Sequence, residues 1–196
     1  RQRQMCIRDS VNIDSLSNLE KFGKKFGSSY PVGIRLRPNI MAGGNLKIST
    51  GHDKSKFGVP LEQLDQLLAI VETHNINIAG LHIHTGSEIK DVSVFMKVTD
   101  VFFDLVPKFP TLQFLDLGGG FKVPYKAGDP STNIPELASE IQKFQDKLKN
   151  TYGRGFELWF EPGKYMVSKS GYFITEVNVI KQTPSITFAG VNSGFN

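Results

Sequence analysis

From residue 11 to residue 160 the sequence repeats one pattern: a short apolar run, then a stretch with helical spacing. The apolar runs fall at 11–13, 32–36, 78–83, 114–117 and 156–160. Each is too short for a buried helix and ends in polar, Gly or Pro residues, as strands buried on both faces of a parallel sheet do. Between them, Leu61, Leu64, Leu67, Leu68 and Val71 follow Pro60, a residue suited to a first helical turn. Val92, Phe95, Val98, Phe102 and Leu105 form a second stripe, and Leu137, Ile141, Phe144 and Leu148 a third, closed by Gly153. A shorter stripe on Leu16, Leu19 and Phe22 follows the first run. Strands alternating with helices predict an α/β fold with a parallel sheet. After Gly171 the rhythm changes. Residues 172–180 and 186–191 read as strands with no helix between, so 11–171 is expected to be the α/β domain and 172–196 the start of a β-rich one.

An open doubly wound sheet and a section of a barrel both satisfy this alternation, and the special residues favour the barrel. RPN follows residue 36, HTGSE follows 83, GGG follows 117 and EPGK follows 160, so every cluster stands at the C-terminal end of a predicted strand. Barrels build sites from many loops at that end, whereas open sheets gather ligands at one switch point.

Composition narrows the function. Of the formal charge of +4, half comes from Arg1, Arg3 and Arg8 against Asp9, and the remaining chain holds 20 basic and 18 acidic groups. That near-neutral balance predicts no nucleic-acid partner. No apolar run reaches about 18 residues, so no membrane helix is predicted. Cys6 is the single cysteine, which removes any disulfide framework and suits a reducing, cytoplasmic setting. Residues 1–10 lack periodicity and an apolar leader core, and are expected to be a non-native leader outside the fold.

The clusters invite chemistry in different ways. His82 and His84, two apart on a strand, project to one side. They could be metal ligands, a hydrogen-bonded structural pair, or, for His84, a plate against an aromatic cofactor with Ser87 on its phosphate; no third ligand at zinc spacing supports the first. Gly118, Gly119 and Gly120 free the backbone to approach an anion, in a spacing that matches neither a dinucleotide fingerprint nor a P-loop. Glu161, at a strand end, reads as a base, a cation partner or a plain surface residue, with Gly163 permitting close approach beside it.

The stretches RLRPN (35–39), STGHDKSKFGVP (49–60), GLHIHTGSEI (80–89), LDLGGGF (115–121) and EPGKYMV (161–167), in that order, resemble the pyridoxal-phosphate decarboxylases and racemases built on an alanine-racemase-like barrel. Within that group the resemblance is closest to the diaminopimelate decarboxylases. It implies a (β/α)8 barrel of which this chain holds about strands 4–8. It also implies pyridoxal 5′-phosphate as cofactor, a small amino acid as substrate, and a homodimer with shared active sites. His84 would stack on the pyridine ring, and Ser87, Gly118, Gly119, Gly120 and Gly163 would hold the phosphate. Glu161 would pair with the protonated ring nitrogen, making Glu161 and His84 the catalytic candidates. A carboxylate there keeps the proton on, and the protonated ring is the electron sink that decarboxylation needs.

The family usually carries Arg after Glu-Pro-Gly. Lys164 stands here, implied at the cofactor and at a substrate carboxylate, as a point charge rather than a fork. No metal is implied. The family's cofactor-bearing lysine belongs to a first-strand segment not found before Val11, and the cysteine-bearing motif of its carboxyl-terminal domain is not found either. The chain is therefore expected to be an internal section of an enzyme, inactive alone, and Lys56 is no substitute because its motif matches another family segment. The implied reaction converts meso-2,6-diaminopimelate to L-lysine and carbon dioxide. A decarboxylase of ornithine, arginine or carboxynorspermidine, or a cofactor-binding homologue without catalysis, would share these residues.

Overall fold

The computed structural model describes residues 11–40 and 55–194. The leader at 1–10 with Cys6, and positions 49–54 of the STGHDKSKFGVP stretch, lie outside the described residues. The chain divides into two compact units, one ending at Met166 and the other beginning at Val167.

The first unit runs β1 (Asn12–Ile13), α1 (Leu16–Phe26), β2 (Val32–Arg37), β3 (Val59–Pro60), α2 (Leu64–Thr73), β4 (Ile78–His82), α3 (Val92–Leu105), β5 (Phe114–Asp116), α4 (Ile134–Tyr152) and β6 (Glu157–Trp159). A short α5 (Lys164–Val167) follows. The strands pair in the order β1-β2-β4-β5-β6, all parallel, with β3 attached to β2 off that path. The α/β expectation with a mostly parallel sheet holds.

Two local expectations do not. Pro60 closes β3 with an extended ψ of 143° and caps the 3-10 turn at Leu61–Gln63 that leads into α2, so it stands just before the first helical turn rather than in it. The fixed φ of proline serves an extended strand end as well as a helix start, and buried Val59 pairs with Leu36 there. The run at 156–160 is not buried on both faces: Glu157 and Trp159 of β6 are exposed and Leu158 is half-buried. Among the described residues β6 pairs only with β5, so it lies at an edge.

Register explains the core. Ile13, Ile34, Leu81, Leu115 and Leu158 pair in succession across the sheet. In-phase residues of parallel strands share a face, so this row forms one apolar ridge. Leu19 of α1, Leu67 of α2, Val98 and Phe102 of α3, and Phe144 and Leu148 of α4 join it in one buried cluster. The helices begin and end where their caps allow. The Asp91 carboxylate accepts the Ser93 N–H at 2.9 Å ahead of α3. Asn133 accepts the Glu136 N–H at 3.2 Å while its own amide donates to the Glu136 carboxylate at 3.0 Å, closing a reciprocal cap on α4. Gly153 ends α4 in the left-handed region, φ 70°.

On the opposite face the row below the site is Gly33, Gly80, Phe114 and Glu157. The Phe114 ring fills the space where a Gly80 side chain would stand, and it stacks on Trp159 with centroids 3.9 Å apart.

The second unit contains β7 (Val177–Gln182) and β8 (Thr187–Val191), paired antiparallel. Residues 172–176, read from sequence as part of the first of these strands, precede it. Extended apolar composition alone does not tell a strand from the segment leading into it.

Phe102 is wholly buried at the centre of the helix-side core. Phe102→Ala is expected to cost about 3–5 kcal/mol, read as a lower urea midpoint at unchanged slope. A midpoint equal to wild type would show that α3 does not pack on the sheet as described.

Candidate active site

One residue past the apolar row, Arg35 pairs with His82, His82 with Asp116, and Asp116 with Trp159. This next row faces away from the helices. His84 stands two residues beyond the end of β4 and Glu161 two beyond the end of β6, and the Glu161 carboxylate reaches His82 on this face. The sheet thus gathers a guanidinium, two imidazoles and two carboxylates at the C-terminal ends of its strands.

Backbone bonds lace the three expected clusters together. The Asp116 carboxylate accepts the Gly118 N–H at 2.9 Å. The Gly119 N–H donates to His84 Nδ1 at 3.1 Å. The Glu161 N–H donates to the Gly118 carbonyl, and the Ile89 N–H to the Gly120 carbonyl, both at 2.9 Å. Glycine is required for this lacing. Gly120 has φ 91°, and a Cβ on it would fall on the Gly86 carbonyl; one on Gly119 would fall on the Glu161 carbonyl. His84, the glycine turn and Glu161 therefore converge. Ser87, next in sequence to Gly86, is half-buried, and Gly163 has open space around its missing side chain.

Burial sets the protonation states. His82 is 5% exposed and Asp116 3%. Burial, with Arg35 and His84 adding to it, pushes the His82 imidazole down to about 3. Burial pulls His84 below its ordinary value too, Arg35 adding to the effect and Glu161 opposing it. With Nδ1 accepting from Gly119, neutral His84 carries its proton on Nε2. Burial raises the Asp116 carboxyl to about 6; the Gly118 N–H opposes the shift and the Glu161 charge adds to it. His82 Nε2 lies 3.4 Å from a Glu161 carboxylate oxygen, and among the described residues neither His82 ring nitrogen makes a hydrogen bond. Donor atoms of His82, Asp116 and Glu161 all fall within 4.8 Å of one another.

Lys164 is engaged at the rim. Its ammonium pairs with the Glu88 carboxylate and donates to the Tyr125 hydroxyl at 2.6 Å. That hydroxyl donates to Glu88 at 2.9 Å, and Lys122 pairs with the other Glu88 oxygen at 2.6 Å. Glu88 adopts φ 62°, unusual for a residue with a side chain. Sequence reasoning missed Arg35, Asp116, Glu88, Lys122 and Tyr125. Asp two residues before Gly at a strand end was a readable signal, since its carboxylate commonly accepts the i+2 N–H. Nothing local in the sequence brings Lys122 and Tyr125 to Glu88.

Comparison with known proteins fits this geometry. The family model for the pyridoxal binding domain of pyridoxal-dependent decarboxylases matches residues 2–168, and the chain belongs to that family. Pyridoxal phosphate is accordingly the cofactor of this domain. The diaminopimelate decarboxylase of Methanothermobacter thermautotrophicus is 33% identical over 193 residues, covering 95% of this chain and 45% of that protein. A crystal structure of diaminopimelate decarboxylase superposes with a TM-score of 0.82 at 29% identity, covering 95% of this chain and 44% of the other. Diaminopimelate decarboxylase from M. jannaschii in complex with L-lysine gives 0.75 at 30% identity, covering 94% and 45%. The chain spans about 45% of the relatives it matches. The donor set suits the cofactor: a half-exposed carboxylate, an imidazole plate locked by a backbone amide, a hydroxyl and a glycine turn answer a cationic ring and a phosphate.

The two buried groups oppose each other as pH changes. Between about pH 4 and 6 the folded chain keeps a proton on Asp116 that the unfolded chain has lost, so this contribution stands at low pH and is lost as pH rises through about 6. His82 refuses a proton that the unfolded chain takes below 6.5, so its contribution stands above that value and is lost as pH falls toward about 3. The two largely cancel between pH 4 and 6. Asp116→Asn keeps the acceptor for Gly118 but removes the titration. It is expected to lose roughly 2–3 kcal/mol more than wild type between pH 7 and 4; His82→Leu should lose less than wild type. Urea unfolding at pH 7, 5.5 and 4 reads both, and parallel pH dependence in all three proteins would contradict the assignment.

Proposed function

We propose that this chain is part of a diaminopimelate decarboxylase, an enzyme that removes the D-centre carboxylate of meso-2,6-diaminopimelate to give L-lysine and carbon dioxide. The observation that carries the reading is the convergence of His84, the Gly118–Gly120 turn and Glu161 through backbone hydrogen bonds of 2.9–3.1 Å. The strand order and the row of polar residues support a (β/α)8 barrel of which β1, β2, β4, β5 and β6 form about strands 4–8. On the same reading residues 172–196 begin a β-rich second domain, and the parent is a cytoplasmic homodimer with shared active sites.

Bound pyridoxal phosphate supplies the sink for the electron pair released when the bond to the carboxylate breaks. This chain's residues do the rest of the work. Glu161 holds a proton at the ring nitrogen, because an anionic neighbour favours the protonated form. His84, oriented by the Gly119 amide, would stack on the ring. Ser87, the Gly118–Gly120 turn and Gly163 would hold the phosphate, the turn being fixed by the Gly118 and Gly119 N–H bonds to Asp116 and His84. Lys164 offers its charge to the substrate carboxylate when that anion displaces Glu88.

In the full-length protein, Glu161→Gln keeps the shape and removes the charge. Turnover of meso-diaminopimelate is expected to fall on the order of 100-fold or more, with cofactor content unchanged. Carbon dioxide release and cofactor absorbance on one preparation measure both; near-wild-type turnover with full cofactor would sink the role of Glu161. Faster turnover of ornithine, arginine or carboxynorspermidine by the wild type would reassign the substrate.

A further inference from the structure

His82 is a buried histidine with no stated work. Buried polar side chains ordinarily find hydrogen-bond partners, yet neither His82 nitrogen has one among the described residues. A leucine would fill the same volume at less cost to folding. The neighbours show what the imidazole is for. Arg35 of β2 and Asp116 of β5 flank it in its own row, His84 stands two residues past the end of its strand, and Glu161 follows the end of β6. Of these, the Glu161 carboxylate is the group that meets it, 3.4 Å from Nε2. A movement of a few tenths of an ångström brings that pair within hydrogen-bond range, roughly 2.7–3.2 Å.

The geometry points to His82 as a positioning residue for Glu161, a neutral imidazole whose Nε2–H holds one carboxylate oxygen and leaves the other for the cofactor ring nitrogen. The assignment of Glu161 to that nitrogen is the reading above, and this inference rests on it. Neutrality is essential to the device. An imidazolium behind Glu161 would draw off the charge that keeps the ring proton in place, whereas a neutral donor orients the carboxylate and keeps it ionised. Burial and the Arg35 guanidinium both hold His82 in the neutral form.

Two measurements on the full-length protein test this. The first is 15N NMR of histidine-labelled protein, with the cofactor bound and stripped. His82 is expected as the neutral Nε2–H tautomer from pH 5 to 8 in both; the Nδ1–H tautomer, or protonation above pH 5, would overturn the inference. Zinc that displaces the Nε2 proton at stoichiometric concentration would also overturn it, by assigning His82, Asp116 and Glu161 to a cation. The second compares His82→Leu with His82→Gln, whose side-chain amide restores a donor near the position of Nε2. Without a donor, the Glu161 carboxyl protonates more readily. The acid limb of kcat/KM should then move up by about one pH unit in His82→Leu, a tenfold loss on the acid side. His82→Gln should return it. A purely structural histidine predicts an unmoved limb in both variants, with any loss appearing in Tm alone. Superimposable profiles, or a Gln variant indistinguishable from Leu, would refute the role. If Glu161→Gln leaves turnover intact, the reading of Glu161 fails while the His82 tautomer still reports whether the two side chains bond.

Discussion

The pairing of Ile34 with Leu81, Leu81 with Leu115 and Leu115 with Leu158 fixes the phase of every side chain in the sheet. Because strand side chains alternate, a slip of one residue would turn this row away from the helices and drive Arg35, His82 and Asp116 into the apolar core. The burial of Leu81 and Leu115 beneath Leu67, Val98 and Phe102 therefore does two things at once. It supplies cohesion on one face, and on the other it lines up the polar groups as a row. The chemistry of this molecule is a by-product of hydrophobic registration.

Above that row, organisation passes from side chains to backbone. The turn at Gly118, Gly119 and Gly120 ties Asp116, His84, Glu161 and Ile89 together through four hydrogen bonds from three separate strand ends. Each bond is short and uses a backbone group of the turn, so the position of His84 relative to Glu161 does not depend on long, flexible side chains. The charges follow from depth. Asp116 and His82 lie deepest and have their ionisation suppressed, whereas Glu161 lies about half exposed, where a ligand can reach it.

The strands and helices were legible because their apolar spacing is short-range information, and the five runs found their places in the sheet. Pro60 was misread because its fixed φ fits two different elements, and the edge position of β6 was invisible because neighbours across a sheet are not encoded in a strand's own composition. Of the site, the glycine turn and His84 could be read from residue types, and the family resemblance named Glu161. The depth of His82 and Asp116 could not be read, since both depend on which strands flank them. The Glu88–Lys164–Tyr125–Lys122 group lay further out of reach, as its members are up to 76 residues apart and meet only through folded geometry.

The Phe114 ring, lodged over Gly80 and stacked on Trp159, ties three positions into one unit of inheritance. A methyl group at Gly80 has no room unless Phe114 shrinks, and a smaller Phe114 leaves Trp159 without its platform. Trp159 lies two residues before Glu161, so a lineage that changed any one of the three would be selected on the aim of a carboxylate that none of them touches. Descendants should then carry substitutions at 80, 114 and 159 in matched sets, a correlated drift beneath the site rather than within it.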